Sequence, residues 1–113
     1  MSRELTDHER AALDLLLSAE FPGVRELRQQ ATSVKADGRG MIVDLMVDDA
    51  APRATVLSRT PVQAVVDGEG YDGGLLLCVD DGRLSALECW WVTEEMPDEF
   101  PPVSSIGRSI PAT

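Results

Sequence analysis

The stretch from Leu75 to Val92 constrains this chain more than any other. Two runs, Leu75 to Val79 and Leu84 to Val92, flank Asp81-Gly82 and are apolar at both alternations. Asp-Gly suits a type I′ turn, because both central positions take positive φ. The turn sets a register with Val79 opposite Leu84, Leu77 opposite Ala86 and Leu76 opposite Leu87. A hairpin apolar on both faces belongs in the middle of a sheet, covered on at least part of both sides.

Other strands follow the same logic. Met41 to Val47 alternates, with Met41, Val43, Leu45 and Val47 on one face. The opposite face carries Asp44 and Asp48, with Ile42 and Met46 between them. Thr32 to Ala36 reads as the preceding strand, joined through Asp37-Gly38, which pairs Val34 with Met41 and Thr32 with Val43. Val62 to Val66 reads as a further strand. Asp48 to Pro61 reads as a long loop, with a short edge segment at Ala54 to Leu57. Asp67 to Gly74 holds four glycines in eight residues and reads as a flexible turn.

The N-terminal third is helical. Thr6-Asp7-His8-Glu9 matches a capping box, and Leu5, Ala12, Leu13, Leu16 and Leu17 form one apolar stripe. Arg10 and Asp14 are spaced as an i,i+4 pair on the wetter side. Phe21-Pro22-Gly23 stops the helix and opens a second, Val24 to Ala31. There Val24 and Leu27 face the core, while Arg25, Glu26, Arg28, Gln29 and Gln30 are expected in water. Two short helices cannot bury their stripes on each other alone, so they need the sheet.

The expected fold is α+β: one or two N-terminal helices packed on a mainly antiparallel sheet of four to five strands, with a proline-rich C-terminal tail. A length of 113 residues suits a single domain, 1–113, with residues 1–4 and about 103–113 frayed. Met1-Ser2-Arg3-Glu4-Leu5 leads into no apolar run of signal-peptide length, and no stretch is long enough to span a membrane. A soluble, cytoplasmic protein is expected. The chain carries 20 acidic and 10 basic residues, a net charge of −10. That balance disfavours nucleic acid, whose phosphates need a surplus of Lys and Arg.

Few residues invite chemistry. His8 is the single histidine and no nucleophile motif accompanies it. One His and two separated Cys do not make a zinc site. In the turn-defined register Cys78 and Cys89 share a face, but about four residues, roughly 13 Å, separate them along the strands. A disulfide needs Cα atoms within about 7 Å, so both cysteines are expected reduced. Asp67, Glu69 and Asp72 sit in a turn that superficially resembles a calcium loop. Tyr71 and Cys78 occupy the positions where that loop needs oxygen ligands, so a solvated turn is the reading preferred. Glu88 shares its alternation with Leu84, Ala86 and Trp90. A carboxylate there needs a partner. An arginine is the ordinary one, and a ligand-binding or catalytic role is the other reading. Trp90 and Trp91 point to opposite faces, one to the core and the other to the Phe100-Pro101-Pro102 tail or to a protein partner.

Three parts of the chain resemble a set of small actinobacterial proteins of unassigned function, over roughly residues 5 to 90. They are Leu5-Thr6 with Glu9 and the following leucines, Phe21-Pro22-Gly23 with Glu26-Leu27-Arg28, and the segment from Asp81 to Glu88. Such proteins often carry a cysteine-rich segment before the second strand. Here that segment reads Ala36-Asp37-Gly38-Arg39-Gly40-Met41, so no metal or redox role carries over. The resemblance implies a compact α+β domain and no known reaction.

The expected function is that of a small, acidic, non-enzymatic interaction protein of the immunity or inhibitor type, docking to a basic protein surface. Candidate binding residues are Glu88, Trp90, Trp91, Asp67, Glu69 and Asp72. No catalytic residue, metal or cofactor is expected. A first alternative is a ligand-binding or enzymatic pocket between sheet and helices, centred on Glu88 with Arg25, Arg28 or Arg83 holding an anion. A second is a homodimer through an exposed edge at Met41 to Val47 or Val62 to Val66.

Overall fold

The computed structural model describes residues 2–38, 40–68, 71–92 and 100–112. Helix α1 spans Asp7–Leu16. Its capping box forms as the sequence predicts: the Thr6 hydroxyl accepts from the Glu9 N–H at 3.2 Å, and the Glu9 carboxylate accepts from the Thr6 N–H at 2.9 Å. Such a cap contributes about 1 kcal/mol. Arg10 does not pair with Asp14. It donates to the Ala31 carbonyl at 2.6 Å, reaching the end of the second helix, where unpaired carbonyls attract a cation.

Helix α2 spans Val24–Ala31. Gly23 starts it at φ 92°, and a Cβ there would sit 2.7 Å from the Thr55 carbonyl oxygen. Gln30, expected in water, is fully buried. Its amide donates to the carbonyls of Pro52 at 2.7 Å and Gly82 at 2.9 Å, and its oxygen accepts from the Leu84 N–H at 2.8 Å. A buried amide is tolerable because it is satisfied on both ends.

The strands are β1 (Lys35–Asp37), β2 (Ile42–Met46), β3 (Val62–Gly68), β4 (Tyr71–Asp80), β5 (Arg83–Trp91) and β6 (Ile106–Pro111). They form one antiparallel sheet in the order β1-β2-β5-β4-β3-β6. Six strands replace the expected four to five. The extra one comes from the segment expected as a proline-rich tail, which after a short 3₁₀ turn at Val103–Ser105 pairs with β3. The one proline within the strand, Pro111, is compatible because β6 is an edge. Met41–Val47 and Val62–Val66, proposed as edges, lie inside the sheet.

Two registers differ from the turn-based readings. In β1–β2 the pairs are Ala36 with Leu45 and Asp37 with Asp44, so Asp37-Gly38 is not a two-residue turn. Gly38 and Gly40, both at positive φ, widen the connection. Pairing slides by a whole number of side-chain repeats, so Val34, Ala36, Met41, Val43 and Leu45 still face the core. In β4–β5 the turn is as read, with Asp81 at φ 53° and Gly82 at φ 73°. Val79 pairs with Leu84, but a bulge follows and Cys78 pairs with Ala86, Leu77 with Leu87 and Leu76 with Glu88. The extra residue on β5 reverses which side chains share a face beyond it. The stretch from Asp67 to Gly74, expected as a flexible turn, is mostly strand, with Asp67 opposite Asp72.

Both helices pack on one face of the sheet, α2 over β5 and α1 over β3 and β6. Leu13, Leu16 and Leu27 meet Leu75, Leu77 and Leu87 there, all at 0% exposure. Burying each such leucine contributes about 2 kcal/mol.

Candidate functional site: the second face of the sheet

Among the described residues, the large exposed apolar side chains of these strands lie on the other face. Its occupants follow from register. From β2 come Ile42, Asp44 and Met46; from β5, Ala86, Glu88 and Trp90; from β4, Gly74, Leu76 and Cys78; from β3, Gln63, Val65 and Asp67; from β6, Ile110. Five large apolar side chains are half or more exposed or nearly so: Ile42 57%, Val65 56%, Met46 50%, Trp90 48% and Ile110 46%. Scattered single apolar residues are ordinary on a protein surface, but here they recur at the outward alternation of four strands of one sheet.

Glu88 stands near the middle of this face. Ile42 is its partner across β2 and Leu76 across β4. It is half-buried, and the Cys78 thiol donates to its Oε2 at 3.2 Å. The arginine expected beside it is not found: among the described residues no Arg or Lys forms an ion pair with Glu88. Burial, then the adjacent Glu88 carboxylate, pushes the Cys78 thiol up to about 11, slightly offset by Arg59. Near neutral pH the Cys78 thiol is therefore protonated and serves as the donor to Glu88. Cys89 sits on the core face, and burial raises its thiol to about 11 as well. The bulge has put the two cysteines on opposite faces, correcting the expectation that they share one; both are free.

Gly74 makes room for Trp90. A Cβ on Gly74 would come within 2.5 Å of the indole Cε2, Cζ2 and Nε1 atoms, so the ring packs over the β4 backbone. Trp91, on the core face, is half-buried against the apolar core, in which Phe100 is also buried. The structure thus brings Glu88 and Trp90 together and separates Trp91 from them. Asp67 and Asp72 are exposed cross-strand neighbours toward one end of the face. Glu69 lies outside the described residues. His8 is exposed in the first turn of α1.

The face is acidic. Asp37, Asp44, Asp67, Asp72 and Glu88 share it by register. Lys35 shares it too but its ammonium is bound to Glu4, and Arg108 stands on β6 at the edge. Arg83, at the hairpin end, reaches Asp49 at 3.6 Å and Asp81 at 3.7 Å.

Sequence reasoning placed Ile42 and Met46 on the solvated side but gave them no role, and it missed Val65 and Ile110. The available signal was an apolar residue at the outward alternation of three strands at once. A pocket between sheet and helices cannot use Glu88, which points away from the helices. Two open grooves, of about 300 Å³ beside Asp14 and Arg28 and about 360 Å³ beside Lys35 and Met46, do not include Glu88 either. Arg28 is engaged with the Leu17 and Ala19 carbonyls and with Glu20. Among the described residues no three His, Cys, Asp or Glu side chains gather to hold a metal ion. No described helix is long and apolar enough to cross a membrane.

Comparison with protein-family models, with curated proteins and with solved structures finds no match to this chain. The resemblance to small actinobacterial proteins rests on its sequence motifs alone.

Proposed function

We propose that this chain is a protein-interaction module of the inhibitor or immunity type, which docks its second sheet face onto a basic, partly apolar surface of another protein. The observation that carries this reading is the set of exposed Ile42, Met46, Trp90, Val65 and Ile110 on four of the five strands from β2 to β6. From β2 to β6 five strands about 4.8 Å apart span roughly 19 Å, by about 20 Å along the strands, an open surface and not a small-ligand pocket. Carboxylates are interleaved with the apolar side chains, Asp44 between Ile42 and Met46 and Glu88 near the middle.

Charge selects the partner. A second copy placed face to face would set Asp44, Asp67, Asp72 and Glu88 against their own kind, on chains each carrying −10. Edge pairing is also disfavoured. β1 has three residues and its outer side is bridged by Arg3 to Ala36. β6 carries a register irregularity, Arg108 and Pro111. These are features that blunt a sheet edge.

The test is site-specific photo-cross-linking from position 42 and position 65, with position 29 on α2 as the control, followed by identification of the adduct. The expected result is one dominant basic adduct from the two sheet positions, lost as salt is raised. Equal labelling from all three positions, or a dominant adduct from position 29, would refute the proposal.

A further inference from the structure

Resting on that reading of the face, we infer a subsite at its centre, where Glu88 and Trp90 together receive an arginine side chain carried on the partner's apolar surface. Glu88 is bounded by Ile42 and Leu76 across the neighbouring strands and by Ala86 and Trp90 along its own. Four apolar neighbours surround one carboxylate. Its described hydrogen bond is a single one, from the Cys78 thiol to Oε2 at 3.2 Å. A thiol is a weak donor, so the remaining acceptor capacity of the carboxylate is left to water.

Docking removes that water. An apolar partner would strand a carboxylate in a desolvated patch, at a cost exceeding what the surrounding contacts return. Whatever covers this face must therefore bring donors to Glu88. Asp44, which faces Ala86 on the adjacent strand, adds a second carboxylate to this part of the face and favours a cation. The Arg59 charge is felt at the Cys78 thiol, but among the described residues no ion pair joins it to Glu88.

Trp90 distinguishes arginine from lysine. It follows Glu88 by two residues on the same face, about 7 Å along the strand. The indole packs over Gly74 and stays half exposed. A guanidinium hydrogen-bonded to the carboxylate can overlie the ring, combining a planar donor fork with a cation–π contact. An ammonium offers a point charge without the flat face.

The experiment titrates the isotopically labelled protein with the peptide acetyl-Leu-Arg-Leu-Arg-Leu-amide, following amide and indole N–H shifts by NMR. Counterparts with lysine or citrulline in place of arginine are titrated alongside, against wild type, Glu88→Gln and Ile42→Asp. Glu88→Gln is close to isosteric at a half-buried site, and unchanged core resonances show that it folds. The expected shifts concentrate on Ile42, Leu76, Glu88 and the Trp90 indole. Glu88→Gln and the citrulline peptide each weaken binding by on the order of tenfold or more, with lysine between them. If Glu88→Gln binds the arginine peptide as wild type does while Ile42→Asp abolishes binding, the subsite is wrong and the docking face stands. If no peptide shifts residues of this face, the subsite is wrong and the docking face loses its support too.

Discussion

Replacing Gln30 with leucine should destabilise the fold far more than its place on a two-turn surface helix suggests. The side chain is fully buried and makes three hydrogen bonds, to Pro52, Gly82 and Leu84. These tie α2 to the long loop and to the turn of the central hairpin. Leucine fills similar volume but offers no polar atom. The Gly82 carbonyl keeps a partner, the Ala54 N–H at 2.8 Å. The Pro52 residue is exposed, so water can reach its carbonyl. The Leu84 N–H is the group left unsatisfied, in a residue with 2% exposure. An orphaned buried donor costs about 1–3 kcal/mol, and the lost bonds to the carbonyls add about 1 kcal/mol. The sum, about 2–4 kcal/mol, is a large share of the roughly 5–15 kcal/mol that holds a domain of this size. For 113 residues it lowers Tm by about 8–17 °C. Urea and thermal unfolding, read by tryptophan fluorescence and circular dichroism, measure it. Gln29→Leu, on the exposed neighbour, should stay within about 0.5 kcal/mol of wild type. Gln30→Glu should be worse than Gln30→Leu, because it turns a carboxylate on two carbonyl oxygens. Amide exchange at Leu84 should quicken in Gln30→Leu, which removes its acceptor. A Gln30→Leu protein as stable as Gln29→Leu would refute the argument.

Three further outcomes follow from local geometry. Burial alone would push the Glu9 carboxyl up, but the Arg3 guanidinium, at 2.7 and 2.9 Å, and the Thr6 N–H together hold it below the usual carboxylate range. Its stabilising effect is thus complete above the unfolded-state pKa and is lost as pH falls through the lower folded value. Equilibrium unfolding between pH 7 and 3 should show that loss, and Glu9→Ala should cost about 2 kcal/mol at pH 7 while flattening the acid limb. With both thiols raised from 9.0 to about 11, the thiolate fraction at pH 8 falls roughly a hundredfold. Disulfide-exchange labelling at pH 8 should therefore be slow in the native protein and fast in urea; fast native labelling would contradict the burial assigned to Cys78 and Cys89. Gly74→Ala should displace the Trp90 indole, costing about 1–3 kcal/mol and shifting the fluorescence maximum to the red.

What the sequence made legible was local. The Thr6 capping box, the Val24–Ala31 helix and the Asp81-Gly82 turn each depend on a few adjacent residues, and each formed. The centrality of the β4–β5 hairpin was also readable, because apolar residues at both alternations exclude an edge. What failed was non-local. The bulge after Val79 leaves no mark in residue type, yet it reverses the faces of Ala86 to Trp91 relative to Leu84 and so separates the cysteines. Gln30 looks like any surface glutamine until the Pro52 and Gly82 carbonyls arrive beside it. Ile106–Pro111 was hidden by the prolines before it and by Pro111 at its end, which an edge strand tolerates. Glu88 and Trp90 could be singled out as odd residues in an apolar strand. Their shared exposure, with Ile42 and Leu76 alongside, required the strand order.

The proposed binding of a basic protein by the second sheet face is tested most directly by calorimetric titration of the purified partner, identified by cross-linking from position 42, into wild type, Ile42→Asp, Trp90→Ala and Gln29→Ala. Ile42→Asp and Trp90→Ala should each weaken binding by on the order of tenfold or more, Gln29→Ala should match wild type, and wild-type affinity should fall as salt rises. Undiminished affinity in both face variants, or a loss confined to Gln29→Ala, would contradict it.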